Sequence, residues 1–93
     1  MPVGISQRFA TGGAEDYEAV HKALDIENNP PDGLLVHSAG PVHDGWGVTD
    51  FWESREKFDA FVEGRLRPAM MKLESALGRP DVREFPVHNL ERF

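Results

Sequence analysis

GWGVTDFWESREKFDAFVEGRLRPAMM, residues Gly45 to Met71, decides the fold, because a two-residue apolar period gives way to a helical one across Glu53-Ser54. A strand over Trp46 to Trp52 therefore feeds a helix, and Ser54 has the chemistry of its N-cap. The helical stripe reads Phe58, Phe61, Val62, Leu66, Ala69, Met70, Leu73 and Leu77, with Arg65 on the same face. Pro68 removes the bond to the carbonyl of Gly64 and predicts a kink there. Gly78-Arg79-Pro80 supplies a Gly-then-Pro stop, so the helix is expected to reach about Leu77.

Upstream, Val3 to Phe9 reads as a strand with Val3, Ile5, Gln7 and Phe9 on one face, broken by Thr11-Gly12-Gly13. A helix over Ala14 to Leu24 places Glu15 and Asp16 at the positive end of its dipole, and its buried stripe is Tyr17, Val20, His21 and Leu24. Asn28-Asn29-Pro30-Pro31-Asp32-Gly33 forms a loop, since adjacent prolines remove donors and force extended geometry on the residues before them. Leu34 to Ala39 is a second strand, with turn chemistry at Gly40-Pro41 and His43-Asp44-Gly45. Downstream, a last strand covers about Val82 to Val87, and the tail His88 to Phe93 carries Leu90 and Phe93 for docking.

The order strand, helix, strand, strand, helix, strand is the split βαβ, ferredoxin-like pattern of an α+β fold. It puts both helices on one face of a four-stranded antiparallel sheet. The strands nevertheless carry apolar residues at both parities: Leu34 and Val36 against Leu35, and Trp46, Val48 and Trp52 against Phe51. One helical layer cannot cover both faces, so the expectation is a homodimer with two sheets packed face to face, built from residues 1–93 as a single domain.

Composition narrows the function. The 93 residues include 10% aromatics and 40% hydrophobics, enough for a packed core. Sixteen acidic against ten basic residues give a net charge of −6, which repels phosphate backbones and argues against nucleic acid as a partner. The absence of cysteine excludes disulfides, thiolate metal sites and cysteine nucleophiles. No signal peptide or membrane span is read in the opening residues, so a cytoplasmic protein that does not engage membranes is expected. Four histidines without paired spacing do not make a metal site, and neither a nucleotide-binding glycine loop nor a Gly-x-Ser-x-Gly turn is present.

Val48-Thr49-Asp50-Phe51-Trp52-Glu53-Ser54, running into Phe58, Phe61 and Arg65-Leu66-Arg67-Pro68-Ala69, resembles the dimeric α+β barrel superfamily. That superfamily includes antibiotic-biosynthesis monooxygenases, haem-degrading monooxygenases and polyketide-tailoring enzymes. The resemblance implies a barrel of two four-stranded sheets, with a ligand cavity in each subunit between sheet and helices. Some members oxidise an electron-rich phenol directly with oxygen, and no cofactor is expected on that reading. Haem degraders carry a Trp on the second helix and a His ligand ten residues later; aligned on Trp52-Glu53-Ser54, those positions are Phe61 and Met71 here, which disfavours haem.

Polar residues on apolar faces define the candidate site. An arginine on a buried stripe must pair, reach water or meet an anion, so Arg65 is either the anchor of a substrate anion or a structural group that snorkels or pairs with Asp50. His37 in the second strand and His21 on the first helix could each accept a phenolic proton, with His37 preferred; a lone histidine on an apolar face is more often a satisfied core or interface residue. A hairpin turn near Val42 and His43 would put His37 on the face of Trp46, Val48 and Asp50, and a slip of one residue would reverse that. Thus His37 and Arg65 form the candidate catalytic pair, and His21, Asp50, Trp52 and Phe61 the ligand-binding set. The leading expectation is a small aromatic or polyketide-like ligand, oxygenated without a cofactor. The alternatives are a non-catalytic dimer that binds a metabolite or protein, and an isomerase or cyclase using the same cavity.

Overall fold

The chain runs β1 (Val3–Phe9), α1 (Ala14–Leu24), β2 (Leu34–Val42), β3 (Gly45–Trp52), α2 (Arg55–Phe61), a π-helical turn (Val62–Leu66), α3 (Arg67–Leu73) and β4 (Asp81–Pro86), in a computed structural model describing residues 1–93. All strand pairs are antiparallel and the sheet order is β2-β3-β1-β4, the ferredoxin-like α+β arrangement. β1 and α1 have the bounds expected from the sequence, whereas β2 continues past Ala39 to Val42 because the turn tightens to His43 and Asp44. No helix is long and apolar enough to cross a membrane.

The long second helix differs from expectation in two ways. Instead of a kink at Pro68, the helix widens one turn earlier: the Arg67 N–H reaches back to the carbonyl of Val62, an i→i+5 bond, and Pro68 falls in the first turn of α3, where its missing N–H leaves no gap. It also stops at Leu73 rather than Leu77. Glu74 takes the left-handed conformation (φ 51°), and the Ser75 N–H returns to the carbonyl of Met70 at 3.0 Å. The chain that turns away there carries Leu77 into the core, 3% exposed, and leaves Leu73 outside. The Thr11 hydroxyl fixes this turn by donating to the carbonyl of Ala76 at 2.7 Å.

Strand alternation builds the helix-facing side of the sheet. Ile5, Gln7 and Phe9 of β1 pair with Asp50, Val48 and Trp46 of β3, and His37 of β2 pairs with Asp50. The apolar core on this face has two parts: Phe9, Val20, Val48 and Leu77 at one end, and Ile5, Trp52 and Phe58 at the other. Between them runs a polar seam, since Gln7 lies between Ile5 and Phe9 on β1, and Asp50 between Val48 and Trp52 on β3. Both are 5% exposed. A buried carboxylate between two apolar clusters is costly unless it is bonded, so the seam is the part of the core that packing alone does not explain.

The opposite sheet face carries no helix. Phe85 lies across Gly4, where a Cβ would come within 2.3 Å of its ring, and meets Phe51 edge-on at 6.2 Å. Phe85 and Val42 are about half exposed. In the tail, the Val87 N–H bonds the carbonyl of Pro2 and Arg92 donates to the carbonyl of Leu35 at 2.8 Å. Leu90 is half-buried while Phe93 is fully exposed, so one of the two apolar tail residues docks.

Candidate functional site

His37 reaches the inner face through an irregularity in β2. Leu34 pairs with Trp52 and Val36 with Phe51, so Leu35 is an extra residue, a β-bulge. Strict alternation from Leu34 would turn residue 37 outward. The bulge resets the parity and brings His37 beside Asp50.

His37 Nδ1 then stands 2.7 Å from Asp50 Oδ1, and its Nε2 stands 2.5 Å from the Tyr17 hydroxyl. An ionised carboxylate only accepts, so Nδ1 carries the proton and donates to Asp50; Nε2 is left with a lone pair and the Tyr17 O–H donates to it. The result is a relay, Tyr17 to His37 to Asp50, spanning α1, β2 and β3. Asp50 is buried, whereas the His37 side chain is 27% exposed and open at one side of the seam. Burial, assisted by the carboxylates of Glu18 and Asp50, pushes the Tyr17 pKa from 10.0 up to about 12. Tyr17 is therefore a proton donor at neutral pH.

The ring of His21, one helical turn after Tyr17, stacks on Tyr17 at 5.4 Å and on His37 at 5.7 Å. Trp46 closes the far side of Tyr17 at 5.4 Å. Trp52 is fully buried, with Phe58 and Phe61 against its ring and its indole N–H without a partner.

Five of the six residues singled out from the sequence line one internal cavity of about 60 Å³: His21, His37, Asp50, Trp52 and Phe61. Arg65 is not among them. Its guanidinium donates from Nη2 to the carbonyls of Leu24 and Asn29, each at 2.8 Å, and lies 5.6 Å from the centroid of Phe61. It thus ties the C-terminus of α1 to the following loop, where unsatisfied carbonyls draw a cation. Nor does it pair with Asp50, whose partner is His37. Tyr17 and Gln7 also line the cavity without having been singled out. Each had a signal: Tyr17 and His21 are four apart on one helical face, and Gln7 is a polar residue at an inward position, as Asp50 is. No group of three or more His, Cys, Asp or Glu side chains is placed to hold a metal ion.

The chain has a ferredoxin-like α+β fold, and solved structures of antibiotic-biosynthesis-monooxygenase-like proteins share that fold. Among solved structures it resembles SnoaB, a cofactor-independent oxygenase from Streptomyces nogalater, at 17% identity and a TM-score of 0.66, covering 96% of this chain and 95% of that one. A candidate antibiotic biosynthesis monooxygenase from Chloroflexus aurantiacus matches at 15% identity, a TM-score of 0.66 and 98% of each chain. A dimeric ferredoxin-like protein of unknown function from Thermobifida fusca matches at 16% identity and a TM-score of 0.64, over 94% of this chain and 92% of that one. At these identities the likeness is one of fold. No protein-family model and no curated protein matches the sequence.

Proposed function

We propose that residues 1–93 form one domain of a homodimer that binds a phenolic or enolic aromatic at the polar seam and oxygenates it without a cofactor. The observation that carries this reading is the Tyr17–His37–Asp50 relay, a base held in one tautomer by a buried carboxylate. The Tyr17 hydroxyl occupies the base in the free protein. An entering phenol takes its place and passes its proton to His37 Nε2, and Asp50 stabilises the imidazolium that results. The deprotonated ring is electron-rich enough to reduce dioxygen. For a ring methylene activated in this way the balance is CH₂ + O₂ → C=O + H₂O: carbon gives up four electrons, one oxygen atom enters the product and the other leaves as water.

Two further points support the reading. The fold is shared with a cofactor-independent oxygenase, and the helix-free sheet face carries Phe51, Phe85 and Val42 where a second copy can cover them. A second reading, binding of a smaller molecule without turnover, is favoured by cavity size: about 60 Å³ holds a few water molecules and not a multi-ring oxygenase substrate. Oxygen uptake separates the two. Addition of a phenol that binds should start oxygen consumption, and His37→Gln, whose amide can still donate to Asp50, should abolish consumption while leaving the fold intact. Bound phenols that consume no oxygen would remove the oxygenase and leave the binding protein.

A further inference from the structure

In the free protein the phenol that faces His37 is the chain's own, the Tyr17 side chain. A phenol that keeps its proton gives up an electron readily only when the proton leaves in the same event, because the radical cation left otherwise is a strong acid. Tyr17 keeps its proton at neutral pH, so its oxidation needs a base in contact. That base is present: the hydroxyl donates to His37 Nε2 at 2.5 Å, and the proton can move along a hydrogen bond already made. The imidazolium formed stays bonded through Nδ1 to the buried Asp50 carboxylate at 2.7 Å, so the new charge is paired inside the seam.

A path for the electron adjoins the path for the proton. The Trp46 ring lies 5.4 Å from that of Tyr17 and is partly exposed, so an oxidant in solution can reach it. Its indole N–H, however, is buried and has no acceptor. An oxidised Trp46 therefore cannot hand its proton to the protein, and its positive charge is relieved by an electron from the neighbouring ring, which is Tyr17. Trp52 offers no such path: it is fully buried, and the rings against it, Phe58 and Phe61, are hard to oxidise. The His21 ring, stacked on Tyr17 at 5.4 Å and on His37 at 5.7 Å, covers both partners of the proton transfer.

We infer that Tyr17 is a redox-active tyrosine, which gives one electron through Trp46 to an organic peroxyl radical while its proton passes to His37 Nε2. The peroxyl radical gains the electron and becomes a hydroperoxide anion. The O–H bond of Tyr17 breaks, an N–H bond forms on His37, and a neutral tyrosyl radical remains. Two neutral reactants thus give one anion and one imidazolium, with no atom or electron left over. The chain acts in this way as a sink for one-electron oxidants. The inference uses the Tyr17–His37–Asp50 relay in its free state and depends on neither the phenol binding nor the oxygenation proposed above.

The test oxidises the full chain, with no phenol present, by photogenerated tris(bipyridine)ruthenium(III), and follows the radical by electron paramagnetic resonance and transient absorbance. A tyrosyl signal belongs to Tyr17, because the chain has one tyrosine. His37→Gln keeps a donor for Asp50 but is not a base, and should slow tyrosyl formation about 100-fold, the lower end of what a positioned base contributes. Acidification that protonates His37 should slow the wild type in the same way, an arm that needs no variant. A radical that stays on tryptophan in the wild type, or a tyrosyl rate indifferent to both His37→Gln and acid, would overturn the inference. Peroxyl radicals from a water-soluble azo initiator should be consumed faster by the wild type than by Tyr17→Phe; equal consumption would remove the sink. A tyrosyl radical that behaves as expected, with no oxygen uptake on adding phenols, would leave this inference standing and remove the oxygenase. Oxygen uptake with the radical confined to tryptophan would do the reverse.

Discussion

Tyr17 is the only tyrosine, so its ionisation can be followed alone through the near-ultraviolet absorbance of tyrosinate. The structure sets its midpoint at about 12 against an ordinary 10.0, with burial the largest cause and the carboxylates of Glu18 and Asp50 adding to it. Two units correspond at face value to ~2.7 kcal/mol, which we reduce to roughly 1–2 kcal/mol because the side chain is only partly buried and solvent screens the carboxylates. The sign follows from which state keeps the proton. Between pH 10 and 12 the unfolded chain has lost it and the folded chain has not, so this stabilisation is complete below pH 10 and disappears as pH rises toward 12. Asp50→Asn removes one of the two carboxylates and should lower the midpoint by a minor part of the shift, since burial remains. The assay is an alkaline absorbance titration with circular dichroism recorded in parallel to confirm that the protein stays folded. A folded-state midpoint near 10, equal to that of the chain in denaturant, would refute the buried, proton-donating Tyr17 on which the relay depends.

Arg65→Met should lower stability by about 2 kcal/mol in urea unfolding, through the loss of two hydrogen bonds from a partly exposed cation to the carbonyls of Leu24 and Asn29, and should leave phenol affinity within about twofold. Loss of binding with stability unchanged would restore Arg65 as a ligand anchor. Phe51→Glu on the helix-free face should shift the sedimenting species from dimer to monomer with its circular dichroism intact; wild-type protein that sediments as a monomer at micromolar concentration would remove the dimer. Gly45→Ala should cost about 3 kcal/mol or more, because position 45 has φ 144° and a Cβ there would lie 2.0 Å from the carbonyl oxygen of Phe9. An unchanged urea midpoint would contradict that geometry.

Much of the fold was legible because two periods are written plainly in the chain. Alternation over Val3 to Phe9 and Trp46 to Trp52 marks strands, and the stripe from Phe58 to Met70 marks the second helix. What the pattern missed is local and has physical causes. The π-helical turn inserts a residue without changing composition, so Pro68 reads as a kink although it lies in the first turn of α3. Glu74 is a left-handed helix stop without glycine, made by the bond from Ser75 to Met70 and the burial of Leu77, so the helix ends short of Gly78.

The candidate site was legible in part by one rule, that a polar residue at an apolar position needs a reason. The rule found Asp50 and His37, which bond each other. It also picked Arg65, whose reason is the α1 C-terminus some forty residues earlier in sequence, a contact that no local pattern encodes. Gln7 met the same rule and was passed over as one member of an alternating strand. The parity of His37 depends on the bulge at Leu35, which the run Leu34-Leu35-Val36 does not announce because all three side chains are apolar. Tyr17 read as an ordinary member of an apolar stripe, since its hydroxyl acquires meaning only opposite His37.

The tautomer of neutral His37 is the most direct measurement of the relay, by long-range ¹H–¹⁵N NMR of the imidazole at mildly alkaline pH. The account predicts a proton on Nδ1, shifted downfield by its bond to Asp50, and an unprotonated Nε2 that changes when a phenol binds. A neutral His37 carrying its proton on Nε2 would contradict it, because the ring would then have no lone pair for Tyr17 or for a substrate proton.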